Sequence, residues 1–466
     1  MAGPTVAAAG EDCAPLTEQI ARYACAMTAQ QPSARSLEIV RLGFTDAVAV
    51  MFAGLDEPVT RVVQRLVRQD PGSPRVARLL LARERVGAPQ AALVNAVAAH
   101  ATDWDDYAYS NHPSAVLVPT LLAVGDAAGA TGIRLASAYV AGYEVWGNLM
   151  RREPDHLHSK GWHPTAVLGP VAAAVAAGVV LGLAPQAMRD AISLSASFAG
   201  GVMANFGTMT KPLHAGRAAQ SGIQAALWAQ GGLEAGAVTL ESPVGLMRAL
   251  SPGGRVDLKT PFPSADAPAL IDTLGLNIKK YPTVGDSQRI IDSMLFYLAR
   301  HPVDATLVVE AIPRVSEKFA SVMPFHAPRT ALEAKFSLEF VVAASLLRGK
   351  VGLAELSDDF VASEAVQSLM RRVRIERTAE SDPGYPNAAP VDYVRLRLTD
   401  GRELRTDEIH RATGHADLPL GREQIAAKFA ECAAAASISE GVATRLFEAL
   451  QTIDRWRGTE DLPLLA

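Results

Sequence analysis

Apolar residues recur at helical spacing through most of the first 260 residues of the chain. The spacing predicts helices over Leu16–Thr28, Ser36–Ala53, Glu57–Arg68, Ala91–His100, Ala115–Ala128, Ile133–Arg151 and Pro185–Phe198, with the pattern continuing over Arg217–Gly231 and Ser242–Leu250. Pro185 stands where helix-starting prolines belong, and Gly129 where helices stop. β-Branched alternation hardly occurs in this half. The stretch Ala166–Ala184 carries no charge and approaches membrane-spanning length. Its apolar content is mostly Ala and Gly, with Pro170 inside, so it reads as a small-residue helix at the centre of a bundle and not as a membrane span.

The character changes at the Pro-rich connector Pro261–Pro268. Strand signals follow at Thr306–Val315, Arg372–Arg377, Val391–Leu398 and Glu403–Ile409, the last two flanking the turn Thr399-Asp400-Gly401-Arg402. Helical spacing returns over Ser287–Arg300, Arg329–Leu347 and Val361–Met370, and again from Gly421 to the end. The expected architecture is mainly α. A large helical domain, residues 1–276 and 415–466, is built from both ends of the chain, and an α+β domain, residues 277–414, is inserted into it. At 466 residues the chain exceeds one usual core.

Composition narrows the classes of function. Hydrophobic content is 49%, charged content 20% and net charge −5, which suits a globular protein with large buried helices and lacks the basic footprint of a nucleic-acid binder. Cys13, Cys25 and Cys432 are scattered, form no CxxC pair and fit a reducing compartment, so a cytoplasmic location is expected. The N-terminus lacks the basic and apolar regions of a signal peptide.

Against this apolar background three polar islands stand out. They are His100–Ser114 (HATDWDDYAYSNHPS), His158–Thr165 (HSKGWHPT) and Thr208–Gly216 (TMTKPLHAG). His, Asp and Lys together are what proton transfer beside a carboxylate requires. Each island also has a structural reading. Asp103, Asp105 and Asp106 suit helix capping or a solvated loop, with Ser114 as a candidate N-cap, as well as tuning a histidine or binding a metal. His163 precedes a helix start, where a lone histidine is often structural, and His156 and His158 suit the surface. Lys211 lies among Gly, Met and small residues and suits an anion site or a snorkelling surface position, with His214 on the same helical face. No GxGxxG follows a strand, and neither a Walker A sequence nor HExxH occurs. What remains is acid–base chemistry without an obvious cofactor.

The islands, in this order and spacing, resemble the MmgE/PrpD family. The resemblance rests on HxxDxDD…HPS at His100–Ser114, GWHPT at Gly161–Thr165, KPLHxGxAAxxG at Lys211–Gly222, Lys280-Tyr-Pro, and AKFSLEF at Ala334–Phe340. Together these motifs are highly specific, and the likeness runs from about residue 15 to about 455. The family includes 2-methylcitrate dehydratase, cis-aconitate decarboxylase and iminodisuccinate epimerase. The resemblance implies a helical domain joined to a chorismate-mutase-like α+β domain, a homodimer, and no metal or organic cofactor.

It also implies an active site at Asp103, His112, His163 and Lys211. His163 would move the proton, Lys211 would hold a substrate carboxylate or the enolate-like intermediate, and His112 would be a second acid–base group oriented by Asp103. Substrate contacts are expected at Tyr107, His214, Lys280, Tyr281 and Gln288, with Arg217 and Arg289 as further carboxylate clamps. The sequence departs from the decarboxylase members in three places: Tyr107 replaces a Thr, residues 280–288 contain no histidine, and a Tyr is lost near Val322; the missing histidine is a departure from the dehydratase members as well. The expected function is proton abstraction next to a carboxylate of a small di- or tricarboxylate, in a 2-methylcitrate dehydratase-like hydro-lyase. An epimerase of a substituted succinate and a non-catalytic polycarboxylate binder stand as alternatives.

Overall fold

The computed structural model describes residues 14–70 and 74–465, so Cys13 and the N-terminal stretch before it lie outside the described residues. The helical periodicity of the first half appears as α1 (Leu16–Met27), α2 (Ala34–Ala53), α3 (Pro58–Arg68), α4 (Ala88–Ala101), α5 (Pro113–Ala128), α6 (Gly132–Arg151), α7 (Pro164–Leu181), α8 (Pro185–Ala196) and α9 (Thr210–Gln230). A small antiparallel hairpin, β1 (Ala77–Arg78) and β2 (Arg85–Val86), sits between α3 and α4. Each of its strands has two residues, too few to show a period of two in the sequence. The expected helix at Ser242–Leu250 shrinks to Leu246–Ala249, and the Leu246 and Met247 amides donate back to the Thr239 and Leu240 carbonyls instead of to a preceding helical turn.

Helix α7 passes a membrane-spanning test by length and composition, yet 94% of that window is buried inside the protein. It packs among α5, α6, α8 and α9. Its small residues permit the closest of these approaches. A Cβ added at Gly222 of α9 would stand 2.3 Å from the Ala173 Cβ of α7, and one at Gly216 would stand 2.6 Å from the Leu93 carbonyl oxygen of α4. The first turn of α9, with Lys211 and His214, is thereby drawn against α7 and α4.

The second half holds a four-stranded mixed sheet in the order β4-β3-β5-β6. Its strands are β3 (Val308–Ser316), β4 (Glu376–Thr378), β5 (Tyr393–Leu398) and β6 (Glu403–Arg405). Strand β3 pairs parallel with β4 and antiparallel with β5, and β5–β6 is the hairpin turning at residues 399–402. Within the predicted Arg372–Arg377 stretch, Val373 bridges Ala311 of β3 through the Arg372 carbonyl and the Arg374 amide, while the continuous ladder of β4 starts at Glu376. The expected helix Arg329–Leu347 divides into Ala331–Ala334 and Leu338–Arg348, since the Ser337 side chain caps the second piece through the Phe340 amide (3.2 Å). Two apolar clusters result. One joins residues 16–278 to residues 425–462, and the other spans residues 281–398.

Buried charge ties the late segment to the early helices. Lys428, on the helix Arg422–Ala435, places its Nζ 2.6 Å from Asp46 Oδ1 and donates to the carbonyls of Trp104 (2.8 Å) and Lys279 (2.9 Å). Arg78 pairs with Asp126 at 2.8 Å and donates to the carbonyls of Thr459 and Leu462. Lys428→Met leaves the Asp46 carboxylate buried without its partner and is expected to cost about 3–5 kcal/mol. Denaturant unfolding should show a lower midpoint, and adding Asp46→Leu should recover part of the loss.

Candidate active site

Four helix ends meet at the islands. His100 is in the last turn of α4, His112 and His163 are the N-cap residues of α5 and α7, and Lys211 and His214 occupy the first turn of α9. Neither N-cap histidine caps its helix through the side chain, which leaves both rings free to face inward. Proline follows both caps, at positions where no backbone N–H is required. Three helix N-termini therefore point toward one place, and their partial positive charge favours an anion there.

The three aspartates of the first island have separate tasks. Asp103 adopts a left-handed backbone (φ 54°), and its Oδ1 accepts from Lys211 Nζ at 3.0 Å and from Lys279 Nζ at 2.7 Å. Burial alone would raise this carboxyl, but the two ammonium groups outweigh it and hold it well below the usual range. Asp105 lies between two imidazoles, 2.9 Å from His100 Nδ1 and 2.8 Å from His112 Nδ1. It too stays ionised despite burial, held low by both rings. Asp106 serves α5: its Oδ1 accepts the Ser114 amide at 3.2 Å and its Oδ2 accepts the Ser114 hydroxyl. The capping expected of Ser114 thus comes from Asp106, and His112 occupies the cap position.

His163 Nδ1 is 3.0 Å from His214 Nδ1, while its Nε2 is buried with no hydrogen-bond partner. When Nδ1 donates to His214, Nε2 carries the free lone pair. Phe206 meets the His163 ring edge-on at 5.0 Å. Burial, reinforced by Lys211 and the neighbouring imidazoles, holds His163 well below the ordinary histidine value. Burial also lowers His112, against the pull of Asp105, and takes His100 down to about 3. Lys211 Nζ lies 3.1 Å from His100 Nε2 and within 5.4 Å of the Phe206 and Phe336 ring centres. Burial lowers its ammonium as well, with Asp103 opposing.

These groups line a small cleft that opens to solvent. Tyr107, His112, His163 and Lys211 are in its wall, and Asp103 stands directly behind Lys211. Other expectations are corrected. His214 is outside the wall, behind His163. Lys280 reaches toward Asp292 (3.6 Å), the Tyr281 hydroxyl donates to Asp292 (2.8 Å), and the Gln288 amide accepts the Lys280 and Tyr281 amides (3.1 Å each). These three residues brace the segment behind the cleft and do not line it. The neighbouring lysine does: in the extended run 277–280 side chains alternate, so Lys279 faces the site and Lys280 faces away. Arg289 is buried on Asp392 (3.2 Å), and Arg217 turns outward to Gln220. His156 and His158, expected at the surface, line the cleft with Lys318, Tyr385 and Asn387. His100 was in view in the first island without a role, and Asp105 only as one of three aspartates suited to capping, metal binding or tuning a histidine. Their five-residue separation, across the end of α4, is the signal that relates them.

His100, His112 and His163 present ring nitrogens within 4.8 Å of one another, a spacing that suits a metal ion. The chemistry of the set does not. Both Nδ1 atoms beside Asp105 are engaged, and His100 Nε2 already accepts from the Lys211 ammonium. A cation there would have to displace a cation.

Residues 18–259 match the MmgE/PrpD N-terminal domain, and residues 281–451 match the MmgE/PrpD C-terminal domain. The chain is 30% identical to the cis-aconitate decarboxylase of Mus musculus over 353 residues, 73% of this chain and 70% of that protein. It is 30% identical to the Homo sapiens cis-aconitate decarboxylase over 357 residues (73% and 71%). It is 25% identical to that of Aspergillus terreus over 440 residues (89% and 88%).

The protonation of His163 is open to test without a substrate. Its folded value is depressed, so the ring stays neutral as the pH falls through about 6.5, where a free histidine takes up a proton. Imidazole nitrogen spectra near pH 6 should show an uncharged His163 ring, absent from the spectrum of His163→Gln. Asp105→Asn disturbs the orientation of both His100 and His112 and should lower turnover about 100-fold or more.

Proposed function

The chain belongs to the MmgE/PrpD family, and from that membership we propose that it is a lyase that removes the proton next to a carboxylate of a small di- or tricarboxylate and expels water from the adjacent carbon. One observation carries the reading. A neutral imidazole nitrogen without a partner, His163 Nε2, faces a cleft that also presents the ammonium groups of Lys211 and Lys279.

A carbon acid beside a carboxylate is weak, and a base alone does not ionise it quickly. The charge that spreads onto the carboxylate oxygens needs a cation within reach in a site of low dielectric. Lys211 serves here, with three helix N-termini adding to its field. Its ammonium is held by Asp103 and His100, so the stabilising charge is in position before the substrate arrives. His163 Nε2 takes the proton, and His214, on its far nitrogen, shares the positive charge that develops. His112, oriented by Asp105, is placed to hydrogen-bond the substrate or to move a second proton. These steps call on no organic cofactor.

A decarboxylase is the second reading, favoured by the names of the relatives. Against it stands the cleft wall: Tyr107, Val284 and Val322 line it together, and these fall in the three places where the sequence departs from the decarboxylase pattern.

Proton NMR in deuterated water separates the readings. The acids to be offered are methylcitrate, citrate, cis-aconitate, isocitrate and iminodisuccinate. A hydro-lyase produces vinyl signals from a hydroxy acid, while a decarboxylase converts cis-aconitate with loss of carbon dioxide. An epimerase washes deuterium into the α-position without elimination, which would overturn the lyase reading. His163→Ala and Lys211→Ala should each abolish turnover, and full turnover in either variant would overturn the assigned roles.

A further inference from the structure

One carboxyl group in the cleft has no part in the scheme above. Asp286 lies on the one-turn helix Gly285–Ser287, just before the helix Gln288–Arg300. Among the described residues it is the one acid in the cleft wall, since Asp103 stands behind Lys211 and Asp105 behind the imidazoles. The nearby lysines are committed elsewhere. Lys279 Nζ donates to Asp103 at 2.7 Å, and Lys318 Nζ donates to the side-chain oxygen of Asn387. Around Asp286 the wall is made by Tyr107, Val284, Phe319, Val322 and Tyr385. The backbone there is closely fitted, for a Cβ on Gly285 would press on the Tyr107 ring at 3.1 Å.

We propose that Asp286 is the proton donor of this reaction, giving its carboxyl proton to the group that leaves. The inference rests on the reading of the site as a lyase of anionic acids. Such a site needs both a group that arrives without a proton and a group that arrives with one. Burial pushes His112, His158 and His163 toward the neutral form, which suits bases. The same burial raises the Asp286 carboxyl to about 7, with Lys279 and Lys318 opposing and Asp103 reinforcing. Tyr107, Tyr385 and Asp392 are the other titratable groups coupled to it, with Arg289 acting on all three. An ionised Asp286 would repel a polycarboxylate, and a protonated one does not.

The step balances. His163 Nε2 takes the α-proton, and the C–H electron pair becomes the new C=C bond. The C–O bond breaks with its pair going to oxygen, and the Asp286 proton converts that oxygen to water. The enzyme is left with one imidazolium and one carboxylate, and exchange with solvent returns both to their starting forms. If carbon dioxide is lost instead, the C–C electron pair goes to the α-carbon and Asp286 protonates that carbon.

Two measurements on the full chain test the assignment. Infrared difference spectra of the parent against Asp286→Asn should contain a protonated-carboxyl band at about pH 6 that fades with a midpoint near 7. A parent lacking that band overturns the proposal whatever the substrate is. With an acid that the parent converts, Asp286→Asn should lower kcat by at least about 100-fold, leave KM little changed and retain deuterium exchange at the α-carbon. His163→Ala should lose both product and exchange. Product formation by Asp286→Asn at the parental rate, or equal loss of product and exchange, overturns the proposal. If the parent neither exchanges deuterium into nor decarboxylates any of the acids, the lyase reading fails and the assignment of Asp286 as the proton donor of that reaction falls with it, whether or not the infrared band shows a protonated carboxyl.

Discussion

The Asp103 carboxylate sits between two buried ammonium groups, 3.0 Å from Lys211 and 2.7 Å from Lys279, and the architecture around it follows from keeping that arrangement out of water. Two cations cannot be desolvated side by side without an anion between them. The anion must come from a backbone bent sharply enough to reach both, and the left-handed conformation of Asp103 does this. Its own carbonyl also accepts from Lys279, at 2.7 Å, so the bend is held from both ends. Lys428 and Lys335 extend the pattern outward. Each is a buried ammonium that donates to carbonyls of the same region, at Trp104 and Lys279 or at Ala101.

From this centre the division of labour becomes clear. Carboxylates set the charge of the lysines and the orientation of the histidines, while burial decides which groups start with a proton. The dry setting that lowers the imidazoles also raises Asp286, so one physical effect sorts the cleft into acceptors and a donor. Helix ends supply the scaffold. Three N-termini converge because α7 is small enough along its length for α9 to lie against it, and Gly222 opposite Ala173 marks the contact.

Much of this was legible in the sequence. The helical period, the hairpin at 399–402 and the three polar islands appear in the residues themselves, while the choice of Asp103, His112, His163 and Lys211 within the islands came from the family resemblance. What escaped has identifiable causes. Lys279 and Lys280 are adjacent and chemically alike, and only the alternation of an extended chain decides which one enters the cleft. His156 and His158 lie in a polar stretch whose flanks are exposed, so their burial comes from Asn387 and Lys318, more than 150 residues away. Asp105 resembled its neighbours because three clustered aspartates look interchangeable until their partners are known. The break at Ser337 depended on a cap that competes with helix continuation, a choice made by packing and not by periodicity.

The reach of Lys428 also sets an order of events. Its ammonium meets partners 382, 324 and 149 residues earlier in the chain, so it fastens together parts made long before it. A nascent chain that has not yet extended past residue 428 already contains the imidazoles and the paired lysines, but the Trp104 and Lys279 carbonyls beside them are still unfastened. The contacts that fasten those two carbonyls beside the cleft are therefore made only once residue 428 has been added.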